Sequence, residues 1–356
     1  MQSKRRVLYL FGVFILVFGF FIFAILRPSE EAVAMEELAH CTDVASVKAN
    51  WEKYNRDLVD LDPEARKQSE YFNQVIEKLN SFRLRKKEEK EIMSWLPPRT
   101  ENLNIVLVPD LSYRIKDAES NPGQVSHDTS LLNHIYHSFQ EKTKRKNDSK
   151  DFLLVDVSDN GQAQGSFQAI ADDLVFDLSK NKGNNRQYFK KAGDRFSSNI
   201  ARLYNTALQQ KVTGADYVNY FSDVLPRRVK RSTLADRFRN ILFIITDGYL
   251  ELNGPNGSII SVSPSAKARK EFCLNSRFEL KFPAATMDKE YADLEVYLLE
   301  VNIRKGENNC DKLVLEKWWA GWLGAMNVKN VEDGFFFSRE NALSVSQQQI
   351  DDILKN

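Results

Sequence analysis

Two short apolar runs, far apart in the chain, each end abruptly in an aspartate, and this pattern restricts the fold more than any other feature. The first is Ile105-Val106-Leu107-Val108-Pro109, followed by Asp110-Leu111-Ser112-Tyr113-Arg114. The second is Ile241-Leu242-Phe243-Ile244-Ile245, followed by Thr246-Asp247-Gly248. Apolar runs without polar alternation read as strands buried on both faces, as in a parallel sheet. Strands that deliver acids to their carboxyl ends define a polar site at the edge where open α/β sheets bind ligands. A single aspartate after a strand is more often a helix N-cap or turn former. Two such ends, one with a hydroxyl two residues on, favour a shared site.

The rest of the chain fits that frame. From Asn102 onward strand-like and helix-like segments alternate. Leu131, Leu132, Ile135, Tyr136 and Phe139 mark a helix face, with Asp128 or Thr129 as its expected N-cap. Phe152–Val157 and Leu294–Val301 read as strands, Ile170–Leu178 and Phe335–Phe337 as further candidates. Helices are expected over Ser198–Gln210, Leu313–Met326 and Val345–Leu354. The expected fold is α/β and doubly wound, a mostly parallel sheet with helices on both faces. It occupies 100–356, with an insertion at about 250–292. Before it, 28–99 reads as a helical juxtamembrane stalk, because Tyr71, Val75, Leu79 and Phe82 recur at helical spacing within a helix over Glu64–Glu91.

Residues 1–27 read as a transmembrane anchor. Val7–Leu26 carries no charge and is about as long as a spanning helix of roughly 20 residues. Lys4, Arg5 and Arg6 precede it, which places the N-terminus in the cytoplasm and the main domain outside it, in the periplasm of a bacterial envelope. The competing reading is a signal segment cut near Ala32-Val33-Ala34. An oxidising compartment permits one disulfide among Cys41, Cys273 and Cys310. Cys273 with Cys310 is the favoured pair, and three free thiols are the alternative. A net charge of +1 gives no electrostatic reason to expect nucleic acid as a partner.

The order of segments over 102–356 resembles the von Willebrand factor type A domain, whose metal ion-dependent adhesion site draws on three stretches. Asp110-Leu111-Ser112-Tyr113-Arg114 stands where that family has Asp-x-Ser-x-Ser. Thr213, in Thr213-Gly214-Ala215-Asp216, stands for its loop threonine, with Ser197 and Ser198 as rivals, and Asp247-Gly248 for its later aspartate. The resemblance implies Mg²⁺, or Mn²⁺ or Ca²⁺, held by Asp110, Ser112, Thr213 and Asp247, with an acidic side chain of a protein partner as the last ligand. Such a site suits Mg²⁺, which takes six oxygens in near-octahedral array. Arg114 departs from the pattern, because a guanidinium cannot ligate a cation. Either it points away, or it replaces the ion by pairing with Asp110 or Asp247.

Other features carry less. His134 and His137 have metal-pair spacing on a helix, but no third ligand is in view. Trp318, Trp319 and Trp322 read as core, with a partner-binding face as the alternative. Arg227, Arg228, Lys230 and Arg231 read as a solvated basic face. The sequence holds no P-loop, Gly-x-Ser-x-Gly elbow or His-Glu-x-x-His helix. The expected function is a membrane-anchored, non-enzymatic protein-binding module. A metal-dependent phosphoesterase and a structural envelope component with a degenerate site are the alternatives.

Overall fold

The two acid-tipped runs form strands that lie side by side. The computed structural model describes residues 28–117, 119, 121–158, 167–209, 214–253, 259–275, 281–304, 310–332, 334–339 and 342–355. Its strands are β1 (Thr100–Pro109), β2 (Phe152–Val155), β3 (Val175–Asp177), β4 (Asp236–Ile245), β5 (Glu251–Asn253), β6 (Ile259–Ser261), β7 (Leu294–Val301) and β8 (Phe336–Ser338). Six of them make one sheet in the order β3-β2-β1-β4-β7-β8, and β5 pairs with β6 separately. Parallel registers join Ile105 to Leu153, Ile244 to Leu298 and Leu298 to Phe336. Within the six-stranded sheet β3 runs antiparallel to β2, and β5 and β6 also pair antiparallel. The candidate strand Ile170–Leu178 thus resolves into a helical turn followed by a three-residue edge strand. The apolar run Val7–Leu26 and Thr213 lie outside the described residues. Among the described residues, no helix is long and apolar enough to cross a membrane.

The described residues up to Thr100, with Thr233–Asp236, form one compact unit, and the remainder forms another. The first contains α1 (Glu30–Ala39), α2 (Val44–Leu58), α3 (Pro63–Arg66), α4 (Glu70–Asn80) and α5 (Lys86–Trp95). The segment expected as a stalk is helical, but it packs on itself. Trp51, Tyr71, Phe72, Val75, Leu79 and Ile92 share a buried core. The single helix expected over Glu64–Glu91 is divided into three. Ser69 accepts from the Phe72 N–H and starts α4 afresh, and Glu88 accepts from the Arg85 N–H at the start of α5. N-caps of this kind satisfy backbone donors that a continuous helix would bond internally.

In the second unit, alternation along the strands divides the apolar side chains between two faces. Ile105, Leu107, Ile241, Phe243 and Ile245 meet α6 (Gln124–Thr143), then α7 (Gln168–Asp173), α8 (Asn185–Ala192) and α9 (Arg195–Gln209). Val106, Val108, Leu242 and Ile244 face the other way, toward Trp318, Trp319 and Trp322. Within the insertion lies α10 (Ala266–Asn275), followed after β7 by α11 (Cys310–Ala325), which carries the tryptophans, and α12 (Leu343–Lys355). All three tryptophans are fully buried, as the core reading expects. Cys273 and Cys310 are disulfide-bonded, with Cα atoms 6.1 Å apart, and Cys41 is a buried free thiol. Nearby, Arg269 pairs with Asp311 at 2.7 Å, fastening α10 to α11.

Gly214 shows how tightly the mid-domain loop meets the insertion. A Cβ at this position would overlap the Glu251 carbonyl oxygen, which accepts from the Ala215 N–H at 2.9 Å. Gly214→Ala therefore forces backbone apart, at a cost of about 1–3 kcal/mol typical of overpacking. The expected outcome is a lower urea midpoint with an unchanged slope; a wild-type midpoint would show that the loop does not lie against β5.

Candidate functional site

The carboxyl edge of the sheet is closed by hydrogen bonds between its two central strands. The Asp110 N–H donates to the Ile245 carbonyl at 2.8 Å, so the end of β1 continues the ladder with β4. The Thr246 hydroxyl then donates to Asp110 Oδ2 at 2.9 Å. Asp110 Oδ1 accepts from the Ser112 N–H at 3.0 Å, an Asx-type turn that bends the chain into the short 3₁₀ helix Tyr113–Ile115. Asp247 follows Thr246 directly. Its Oδ1 accepts from the Tyr249 N–H at 3.1 Å, and its Oδ2 from Arg304 Nε at 3.0 Å. Gly248 has φ +92° and backs onto the Val301 side chain, which makes this turn suit glycine. The Trp319 indole N–H donates to the Gly248 carbonyl and ties the turn to α11. The structure thus brings Asp110, Ser112 and Asp247 together at one edge, all buried. Thr213 lies outside the described residues. Tyr217, among the described residues, donates from Oη to the Val108 carbonyl at 3.4 Å.

Arg114 points inward, and its side chain has no exposed surface. Its Nε donates to the Asp110 carbonyl at 3.1 Å, and Nη2 donates to the Ile245 carbonyl at 2.9 Å and to Asp128 Oδ2 at 2.6 Å. Asp110 Oδ2 lies 3.8 Å from Nε. Of the two expected arrangements, the inward one is found, but with a different main partner. Asp128 is not the N-cap of α6. That helix starts earlier, with Gly123 at the N-cap position, and Asp128 lies one turn in, facing the sheet edge. There it also accepts from Gln124 Nε2 at 2.6 Å and Tyr204 Oη at 2.9 Å.

The electrostatics follow from burial. Burial opposes the charge on Arg114, but the Asp128 and Asp110 carboxylates outweigh it and hold the guanidinium above its usual pKa. Burial pushes the Asp128 carboxyl up, against the pull of Arg114. Burial pushes Asp247 up as well. Arg304 opposes that shift, and the Asp110 charge adds to it, so the two strand-end acids sense one another. Arg304 caps Asp247 from the solvent side, reaches Glu251 Oε1 at 2.7 Å and lies over the Tyr249 ring at 4.5 Å. Among the described residues, the strand-end carboxylates are engaged by the chain's own donors and cations. Both oxygens of each strand-end carboxylate already accept a hydrogen bond, and a guanidinium flanks each acid. Like charges repel by about 4 kcal/mol per unit charge at about 4 Å in such surroundings. Among the described residues, no group of three or more His, Cys, Asp or Glu side chains has metal-site spacing.

Sequence patterns gave no signal for Tyr204, Arg304 or Glu300, and they marked Asp128 only as an N-cap. Thr246 was visible beside Asp247, but its role as the bridge between strands was not. Glu300 sits near the end of β7 with φ 67°, an uncommon conformation for a residue other than glycine and one that stores strain at functional edges. Its Oε2 is buried without a hydrogen bond among the described residues, 3.5 Å from His127 Nδ1 and 3.9 Å from Arg339 Nε. The other candidates found structural partners. His134 Nε2 meets Asp351 Oδ1 at 3.0 Å. Arg228 donates to Asp156 at 2.7 Å and Lys230 lies over the Phe152 ring, so these two fold back onto the sheet, while Arg227 and Arg231 of the same basic run are exposed.

No protein-family model matches the chain, and no curated protein matches it. Among solved structures it is similar to a pilus adhesin, SpaC from Lactobacillus rhamnosus GG, with TM-score 0.37 and 12% identity, covering 72% of this chain and 30% of that one. It is also similar to proximal thread matrix protein 1 from the mussel byssus, with TM-score 0.31 and 11% identity, covering 72% of this chain and 46% of that one. The match spans less than half the length of either protein. At these TM-scores neither likeness bears on fold or function.

Burial, with the Asp128 charge next, raises the Glu300 pKa above its ordinary value, 4.5, against the opposing charges of His127, Arg339 and Arg114. A raised folded-state pKa means the native state binds the extra proton. That contribution is complete below the unfolded value and is lost as pH rises through the folded one. Wild-type stability should therefore fall over this window, and Glu300→Gln should remove the fall. The stability difference, Glu300→Gln minus wild type, should grow with pH in urea titrations; a flat difference would contradict the assignment.

Proposed function

We propose that this chain is a non-catalytic protein-binding module, anchored by Val7–Leu26 and displaying its α/β unit outside the cytoplasm. The observation that carries this reading is the convergence of Asp110 and Asp247 through the Thr246 hydroxyl at the carboxyl edge of the sheet, where α/β folds engage ligands. Tyr113 stands beside this edge with 57% of its surface exposed, next to buried Ser112 and Arg114. Exposed aromatics of this kind anchor protein interfaces. The disulfide between Cys273 and Cys310 supports an oxidising compartment, consistent with export behind the Lys4-Arg5-Arg6 flank. No observation favours the phosphoesterase alternative, whose chemistry requires acids free to hold a metal.

A photo-crosslinking residue placed at Tyr113 in the full chain, in the producing cells, tests this. It should give a discrete protein adduct. The same residue at Lys180, whose side chain is 79% exposed, should not. Equal adducts from both positions, or none from Tyr113, would contradict the reading.

A further inference from the structure

We propose that Arg114 is the resident cation of this buried cluster, so that the site is assembled when the chain folds and engages its partner without any divalent ion. The inference deepens the binding reading, and rests on it for what the site does, but its physical basis is separate. Arg114 follows Asp110 by four residues, and the 3₁₀ turn Tyr113–Ile115 directs it back under the strand ends. Its guanidinium takes two main-chain carbonyls, of Asp110 and Ile245, from the two central strands. It takes a carboxylate from α6 as well. These oxygens converge on one positive centre from three segments, which is the organising task a metal ion performs in an oxygen-lined site.

The surroundings are built for a guanidinium. Asp128 is fully buried, and it is held by Gln124 and Tyr204 so that Oδ2 faces Arg114 Nη2. A planar fork suits carbonyl and carboxylate acceptors in fixed directions, whereas Mg²⁺ demands octahedral oxygens and keeps several waters. Asp247, the second strand-end acid, is covered by Arg304, which Glu251 and the Tyr249 ring hold in place. Each acid that would face an ion therefore faces a guanidinium supplied by the chain. A covalently attached cation cannot be removed by chelation or exchanged, so cation supply cannot switch the site.

The full chain titrated calorimetrically with Mg²⁺, Mn²⁺ and Ca²⁺ should show no saturable binding that depends on Asp110. Binding lost in Asp110→Asn would overturn the proposal, whereas binding that persists in that variant lies elsewhere and leaves the cluster as proposed. Should Asp110→Asn not fold, crystals of the wild-type chain soaked in Mn²⁺ decide the matter. No anomalous peak should lie within about 2.3 Å of the Asp110 or Asp247 carboxylates, the range of metal–oxygen bonds; such a peak would refute it. The Tyr113 adduct should form in equal yield with EDTA or with Mg²⁺, and its loss in EDTA would also overturn the proposal. If no adduct forms at all, the binding reading fails, while the ion titration still decides this one.

Discussion

A guanidinium closed off from solvent joins the ends of the two central strands to the helix that covers them. Arg114 contacts the carbonyls of Asp110 and Ile245 and the carboxylate of Asp128 within hydrogen-bonding distance. Burying such a charge is costly unless it is paired and its remaining donors are satisfied. Here the pairing is close, but Nη1 lacks a hydrogen bond among the described residues. The arrangement is thus unlike a core optimised for stability alone. An apolar pair of similar volume would stabilise a sheet edge as well or better. A charged cluster at the carboxyl edge of the sheet is better understood as specifying geometry, holding Asp110 and its neighbours in one orientation.

From that pair the order spreads outward. Asp128 fixes Gln124 and Tyr204, which belong to α6 and α9, and Gln124 in turn accepts from Arg339 just after β8. Asp110 fixes Thr246, whose neighbour Asp247 is fixed by Arg304. The apolar faces that sandwich the sheet supply most of the stability, as nonpolar burial does generally. The polar chain along the carboxyl edge fixes the orientation of the side chains there. Glu300, with its left-handed backbone and an Oε2 that has no hydrogen bond among the described residues, is buried beside His127 and Arg339.

Much of the sheet was legible because β1 and β4 contain the uninterrupted apolar runs Ile105–Pro109 and Ile241–Ile245, each closed by polar residues. Their convergence at Asp110 and Asp247 followed from parallel topology. The partner of Arg114 was not legible. Asp128 looks like a cap because it precedes the apolar stripe Leu131–Phe139, but α6 begins a turn earlier, where Gln124 and His127 give no hydrophobic period to read. Arg304 lies three residues beyond β7, at a distance in sequence that no local pattern links to Asp247. The division of Glu64–Glu91 into three helices was not legible for a related reason. Helical spacing over Tyr71–Phe82 shows that a helix exists, not whether it runs on or folds against Trp51 and Ile92.

If the buried pair organises the edge, Arg114 and Asp128 must be energetically coupled, and a double-mutant cycle in urea measures this directly. Arg114→Met and Asp128→Asn should each destabilise the α/β unit by about 3–5 kcal/mol, because each leaves its partner buried and unpaired. Together they should cost less than their sum by about 1–3 kcal/mol. Costs that add to within about 0.5 kcal/mol would show that the two side chains act independently, and would contradict the account.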